Sequence, residues 1–310
     1  MSRISSDVHK ELMSADDLKS IRSYAESIAI PLINIEHKVD ALKIGENLSN
    51  YRGQGMEFDE NRAYQIGDHQ RQINWRLYAK TQSLYSKVYT EERKPEAFIV
   101  VDRRATMRFA TQKQLKVTLA AKIGLCYAYY AQYHSINIGA CIINKELHWL
   151  PENNQGNAIH WLENQLSAPA PPLAFSTEQI SLHSVLSQLL FRIKPGSHVI
   201  ILSDFLDINT NTSDSTISQL AHKHSVEAIQ ILDPAESQLT ISEYVKIVDE
   251  AEHAQFSIDV SDKSIQEEFN AQQAQKQIEL HDFFTNRGVR HSLHMTSKEL
   301  SECIGGAYAR

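Results

Sequence analysis

From residue 97 onward, short runs of apolar residues alternate with longer segments whose apolar positions recur at helical spacing. The pattern predicts strands at 97–101, 136–143, 198–202, 225–232 and 289–294, and a short edge strand at 147–150. Between them it predicts helices at 112–133, 157–165, 182–193, 216–224 and 264–286, and two further strands, 245–249 and 256–259, that pair with each other. Runs such as Ala97-Phe98-Ile99-Val100-Val101 are apolar at successive positions, which suits a sheet covered on both faces. Strand followed by helix, repeated, implies an α/β fold: a Rossmann-like, mostly parallel sheet with helices on both sides.

The pattern upstream is different. Residues 11–45 read as helix, with Ser14 as the N-cap, Asp16 and Asp17 in the first turn, and Pro31 as an interruption. Between 51 and 95, Gly53, Gly55 and Gly67-Asp68 supply turns and Leu84 to Thr90 alternates like a strand. The expected organisation is therefore an N-terminal helical segment (1–50), a small strand-containing module (51–95) and an α/β domain (96–310). Ser167 to Pro172 is Pro-rich and reads as an exposed connection within that domain.

Composition narrows the class. With 42% hydrophobic and 22% charged residues, the 310-residue chain has the balance of a globular protein. Leu115 to Ala131 is the nearest approach to a membrane span, but Lys116 and Lys122 interrupt it. The first twenty residues carry acidic side chains where a secretory signal needs a continuous apolar stretch, so a cytoplasmic protein is expected. Cys126, Cys141 and Cys303 lie far apart with no C-x-x-C pair and read as reduced core thiols. His222 and His224, two apart, project from different faces of a helix and make no metal site. The net charge of −7 is unevenly spread, for residues 51–122 hold 14 Lys/Arg against 8 Asp/Glu.

In an open parallel sheet, ligands sit beyond the carboxyl ends of the strands, where the strand order reverses. Two of the predicted strands end there in aspartate: Val100-Val101-Asp102-Arg103-Arg104-Ala105-Thr106 and Ile200-Ile201-Leu202-Ser203-Asp204-Phe205-Leu206-Asp207. The pair resembles the von Willebrand factor A fold, whose metal-ion-dependent adhesion site uses D-x-S-x-S on the first loop and an Asp on the later one. A second set of residues lies upstream. It comprises Gly53-x-Gly55-x-Glu57-Phe58, Arg62-x-Tyr64-x-x-Gly67-Asp68, Arg71-x-Ile73-x-Trp75-Arg76-x-x-Ala79-Lys80 and Glu91-Glu92-Arg93. Together with Asp102 these closely resemble the bacterial domain-of-unknown-function 58 family, from about Gly45 to at least Asp207. That resemblance implies a von Willebrand A-like sheet and a partnership with a MoxR-type AAA+ ATPase and its client proteins. Many relatives carry N-terminal membrane helices, of which this sequence has none.

Read physically, the first loop is degenerate. Asp102 and Thr106 keep two ligand-type oxygens and Asp204 could act through water, but Arg104 stands at the first hydroxyl position. At ~4 Å and an effective dielectric of ~20, a fixed positive charge beside a divalent ion costs about 8 kcal/mol. No cofactor is therefore expected, Mg²⁺ being the one candidate. Arg104 or Arg103 is expected to replace the ion by pairing with Asp102 or Asp204. The block 57–64 mixes charge and aromatics, so Arg62, Tyr64, Asp68, Arg71, Trp75 and Arg76 are candidate anchors for a protein partner. The alternative is that Tyr64, Ile73 and Trp75 are core and the charged residues are structural.

Enzymatic readings find little support. Gly53-Gln54-Gly55 is too short for a nucleotide fingerprint, and no P-loop is present. Ser203 lies at a strand end without the G-x-S-x-G elbow that presents a nucleophile. The leading expectation is a non-catalytic adaptor. One alternative is nucleic-acid binding through the basic stretch 93–122 with Tyr78, Tyr85 and Tyr89 nearby. The other is metal-dependent adhesion through Asp102, Thr106 and Asp204.

Overall fold

In the computed structural model, a six-stranded mixed sheet forms from β3 (Glu96–Asp102), β4 (Asn137–Ile143), β5 (Leu147–Trp149), β6 (His198–Ser203), β7 (Ser225–Leu232) and β10 (Arg290–Met295). The structure describes residues 11–30, 56–65, 70, 73–91, 96–150, 156–169, 180–210, 215–238, 244–249, 254–259 and 263–308. The sheet order is β10-β7-β6-β3-β4-β5. Its pairings are parallel except at β4–β5, where the short edge strand returns antiparallel. The chain thus leaves β3 toward β4 on one side and later re-enters on the other side as β6. The strand order reverses between β3 and β6, which opens a crevice beyond their carboxyl ends.

Helices cover both faces. On one lie α1 (Ala15–Ser27), α3 (Lys116–Tyr133), α4 (Ala158–Ser167) and α9 (Leu300–Tyr308). Their apolar residues share a core with Ile99, Val101, Ile200 and Leu202. On the other lie α5 (Leu182–Arg192), α6 (Thr216–Lys223) and the end of α8 (Lys263–Thr285), packed on Val100, Val199 and Ile201. Alternate residues of one strand feed opposite cores, which is why these strands read as continuous apolar runs. Helix α3 is buried on nearly every side. It passes so close to β3 that a Cβ on Gly124 would sit 3.2 Å from Val101 Cγ2. A glycine inside a helix, ordinarily unfavourable, here permits the approach.

The N-terminal helix begins at the expected N-cap, Ser14, which forms a capping box with Asp17, the two side chains bonding each other's backbone N–H groups. It runs to Ser27, and the remainder of the expected helix, residues 31–45, lies outside the described residues. Ile21 and Ala25 are buried in the α3 core, so α1 is part of the α/β unit and not a segment of its own. The chain forms two compact units, Met1–Ile35 with Pro95–Arg310, and Glu36–Lys94. The Pro-rich connection lies outside the described residues beyond Pro169.

In the smaller unit, β1 (Met56–Ala63) pairs antiparallel with β2 (Tyr85–Glu91), with a bulge between Phe58 and Glu60. The short helix α2 (Trp75–Thr81) lies between them in sequence. The strand β1 falls on the charged block 57–64, where the lack of clean alternation hid it from the periodicity argument. A separate hairpin, β8 (Tyr244–Asp249) with β9 (Ala254–Asp259), precedes α8. Of the α8 side chains only Leu280, Phe283 and Phe284 are buried, so most of the helix is exposed. No described helix is long and apolar enough to cross a membrane.

Candidate functional site at the carboxyl ends of β3 and β6

Asp102 is the last residue of β3, and its side chain is fully buried. Its carboxylate accepts from the Arg104 backbone N–H (2.9 Å), Arg104 Nε (3.0 Å), Arg104 Nη2 (2.7 Å) and Ser203 Oγ (2.6 Å). Burial pushes the Asp102 carboxyl above its usual range and Arg104 pulls it back. Four donors converging on two oxygens suit the ionised form. The other edge of the Arg104 guanidinium meets Asp207, with Nη1 2.6 Å and Nη2 3.0 Å from its oxygens, while Nη1 also donates to the Ile180 carbonyl at 3.0 Å. A guanidinium has five N–H donors, and all five are used. Burial works against the charge on Arg104, but the bonds and charges of the two aspartates hold its pKa above the ordinary value. Asp207 also accepts the Leu182 N–H at the start of α5 (2.8 Å). Burial alone would raise the Asp207 pKa, but Arg104 and that N–H hold it low.

A second cation lies beside the first. Lys116, the opening residue of α3, is fully buried and bonds Asp204 Oδ2 at 3.0 Å and Glu236 Oε1 at 2.7 Å. An ammonium at a helix N-terminus opposes the helix dipole, so these carboxylates are what keep it there. Burial lowers the Lys116 pKa and the two carboxylates more than restore it. Glu236 is itself fixed by a capping box with Asp233 at the start of α7 (Pro234–Ser237). Asp233 accepts the Thr111 N–H (2.9 Å), the Thr111 hydroxyl and Thr296 Oγ1 (2.6 Å), tying the loops after β3, β7 and β10 together.

Arg103 turns the opposite way. It donates to the carbonyls of Gln165, Ala168 (2.6 Å) and Pro169 (3.0 Å) at the end of α4, where the dipole favours a cation. Burial pushes its pKa down to about 10, still well above neutrality.

The expected residues thus fall into distinct groups. Asp102 and Arg104 form one buried pair and Asp204 with Lys116 a second, whereas Thr106 Oγ1 is buried with no hydrogen-bond partner among the described residues. Arg62 is half-buried on β1 and Tyr64 half-buried just beyond it, while Trp75 and Arg76 are exposed on α2. Asp68 and Arg71 lie outside the described residues. Lys116, Asp207 and Glu236 were not assigned roles by sequence reasoning. The signal for Lys116 was present as a charge inside an otherwise apolar helix, a position that demands a carboxylate.

Chemically, the network does not fit a divalent ion. The guanidinium of Arg104 lies between Asp102 and Asp207, and Asp204 is spent on Lys116. Among the described residues no three His, Cys, Asp or Glu side chains are grouped to hold a metal. The basic stretch 93–122 is also not one face. Arg103, Arg104 and Lys116 are buried, and Lys113 is bonded to Glu299. Beside the exposed Thr111, Gln112, Lys113 and Asn209, the loops expose two apolar side chains, Leu206 at 62% and Phe109 at 41% of their surfaces. The Leu206 N–H donates to Asp204 (3.3 Å), and the Phe109 ring centre lies 5.9 Å from Lys116 Nζ, so both flank the Lys116–Asp204 pair.

Residues 60–279 match the family described as protein of unknown function DUF58, and the chain belongs to it. Uncharacterized proteins of Mycobacterium bovis and Mycobacterium tuberculosis are 26% identical over 209 residues, 67% of this chain and 64% of their own length. The chain therefore matches less than two thirds of the length of these curated relatives. Among solved structures, an aerotolerance-related membrane protein from Bacteroides fragilis aligns over 68% of this chain and 97% of its own, at 9% identity and a TM-score of 0.40. The hypothetical protein BatB from Bacteroides thetaiotaomicron aligns over 61% and 98%, at 12% identity and a TM-score of 0.35.

Proposed function

We propose that this chain is a non-catalytic, cytoplasmic adaptor on a von Willebrand factor A-type sheet, working with a MoxR-type AAA+ ATPase in the maturation or remodelling of client proteins. The observation that carries this reading is the saturation of Arg104, whose five N–H groups are all bonded within the chain. A crevice at a strand-order reversal is where such a sheet binds ligands. Here it is filled by the protein's own cations, which favours contact through the loop surface over coordination or catalysis. Ser203 supports the non-catalytic reading, since its hydroxyl donates to Asp102 and accepts the Phe205 N–H (3.1 Å). Leu206 and Phe109 give that surface apolar contact points. The ATPase is the partner that the family resemblance implies.

Phe205 adds a mechanical argument. It has φ of 55°, a left-handed conformation costly for an aromatic residue, yet it is buried with its ring 5.0 Å from that of Phe284. The strained turn aims Leu206 outward while Phe205 anchors the loop inward. The test is direct binding of the purified chain to the AAA+ ATPase encoded nearest its gene, with and without Mg-ATP. Nucleotide-dependent binding that Leu206→Asp weakens at least ten-fold is expected. Absence of binding in every nucleotide state would remove the ATPase from the reading.

A further inference from the structure

We infer that helix α2 of the smaller unit is a second docking element, and that the surface it fits belongs to a protein, is acidic and has an apolar groove. This deepens the adaptor reading and rests on it. Between Asp68 and Glu91 the chain carries Arg71, Arg76, Lys80 and Lys87 and not one carboxylate. Within a protein of net charge −7, that stretch stands apart in sign.

The helix carries two of these charges, Arg76 and Lys80, together with aromatics. Trp75 is 59% exposed and Tyr78 40%, their rings edge to face with centres 6.1 Å apart. Arg76 and Lys80, one turn apart, are exposed on the same short helix, and neither is in an ion pair with a described residue. Leu77 alone of the helix is half-buried. The scaffold beneath is fixed. Asn74 caps the Leu77 N–H (3.2 Å), bonds Asn61 Oδ1 on β1 (2.8 Å) and donates its backbone N–H to the Tyr85 carbonyl on β2 (2.8 Å). Ile73, 6% exposed, bridges to Ser86. Ordering such side chains on contact therefore costs less than it would on a loose loop.

Trp, Tyr and Arg dominate binding energy at protein interfaces when they enter apolar pockets, and unpaired cations beside them select a carboxylate-rich rim. A nucleic acid offers the same sign of charge. But a duplex binder gains its affinity from neutralising many phosphates, and a helix with two cations on a net-acidic protein offers few. The observations favour protein.

The test uses the full chain and a fluorescent amphipathic helical peptide of Glu and Leu, with a Lys/Leu peptide and a twenty-nucleotide oligo(dT) as comparison probes, followed by anisotropy. Saturable binding of the Glu/Leu peptide alone is expected. It should weaken at least ten-fold in Trp75→Ala/Tyr78→Ala and in Arg76→Glu/Lys80→Glu, at unchanged circular dichroism and melting. No binding of that peptide, or equal binding by both double variants, would overturn the inference. Tighter binding of oligo(dT), lost in the same variants, would also overturn it and give the face to nucleic acid. Peptide binding through α2 in a chain that retains no AAA+ ATPase would leave this inference standing and sink the ATPase reading. ATPase binding that needs Leu206, in a chain whose α2 captures no Glu/Leu peptide, would do the reverse.

Discussion

Arg104 bonds the carboxylate of Asp102 three times, through its own backbone N–H, Nε and Nη2, although only one residue separates them. The loop after β3 is thereby closed on itself, and the outer edge of the same guanidinium recruits Asp207 from the loop after β6. Two loops are held in one arrangement by one planar cation, a geometry that lysine cannot reproduce.

Removing that cation should be costly. Arg104→Met leaves Asp102 buried and unpaired, and an unfolding free energy lower by about 3–5 kcal/mol is expected from urea denaturation. Asp102→Asn combined with Arg104→Met should be less destabilising than the sum of the two changes, with a coupling of about 1–3 kcal/mol. Additive losses would mean that the two side chains do not act as a pair.

Two lysines three residues apart should behave differently. Lys116, fully buried between Asp204 and Glu236, leaves a buried charge behind when changed to Met, at about 3–5 kcal/mol. Asp204→Ala should cost less, because Glu236 still bonds the ammonium. Lys113 pairs with Glu299, but both side chains are about half exposed. Lys113→Ala should therefore cost less than about 1 kcal/mol. Equal losses at 113 and 116 in thermal unfolding would contradict the burial argument.

These contrasts explain how far the sequence could be read. Apolar runs located β3, β4 and β6 because both faces of the sheet are covered there, whereas β7 carries Glu227 and Gln230 and the edge strand β10 is largely polar and only partly buried. The N-cap at Ser14 was visible because it depends on local spacing, while the return bond from Asp17 that completes the capping box appears only in the structure. What periodicity could not reveal was which charges meet. Arg104 and Asp207 are 103 residues apart and Lys116 and Glu236 are 120 apart, so their pairing follows from topology. The same limit produced the basic face at 93–122, which a linear count suggests and the fold dissolves by turning Arg103, Arg104 and Lys116 inward. The start of α3 was misplaced for a related reason. Residues 112–115 fit the helical pattern, yet the helix begins at Lys116, after a loop held by the bonds of Thr111 to Asp233.

Acid should destabilise the fold through its buried histidines. Burial lowers the pKa of His224, His291 and His294 to about 4, so each is neutral in the folded protein near neutrality. In the unfolded chain each takes up a proton near its ordinary value of about 6.5. The unfolded state therefore binds more protons between about pH 6.5 and 4, and stability falls as pH drops through that window. The raised carboxyls of Asp102 and Glu236 shift in the opposite sense and offset part of this. His224 isolates the effect, because both its ring nitrogens are buried without a partner among the described residues. His224→Phe should flatten the slope of melting temperature against pH in that window, and an unchanged slope would assign the acid sensitivity elsewhere.

Divalent metal offers the last discrimination, because the two readings of the Asp102 loop differ in sign. If a cation from solution completed the site, millimolar Mg²⁺ or Mn²⁺ would raise the melting temperature by mass action and a chelator would lower it. With Arg104 between Asp102 and Asp207, and Lys116 on Asp204, an entering ion would displace a bonded side chain and face its charge at short range. The expected result is a melting temperature that neither metal nor chelator moves, and calorimetry without heat of binding. Partner binding should likewise survive chelation, once any nucleotide-bound Mg²⁺ requirement of the partner is met separately. A shift of several degrees with Mn²⁺ would mean that Arg104 swings out of the site, leaving Asp102 and the unpaired Thr106 hydroxyl to receive the ion. In that case Arg104→Ala should bind the metal more tightly than the natural chain, which the arrangement of a bonded, saturated guanidinium argues against.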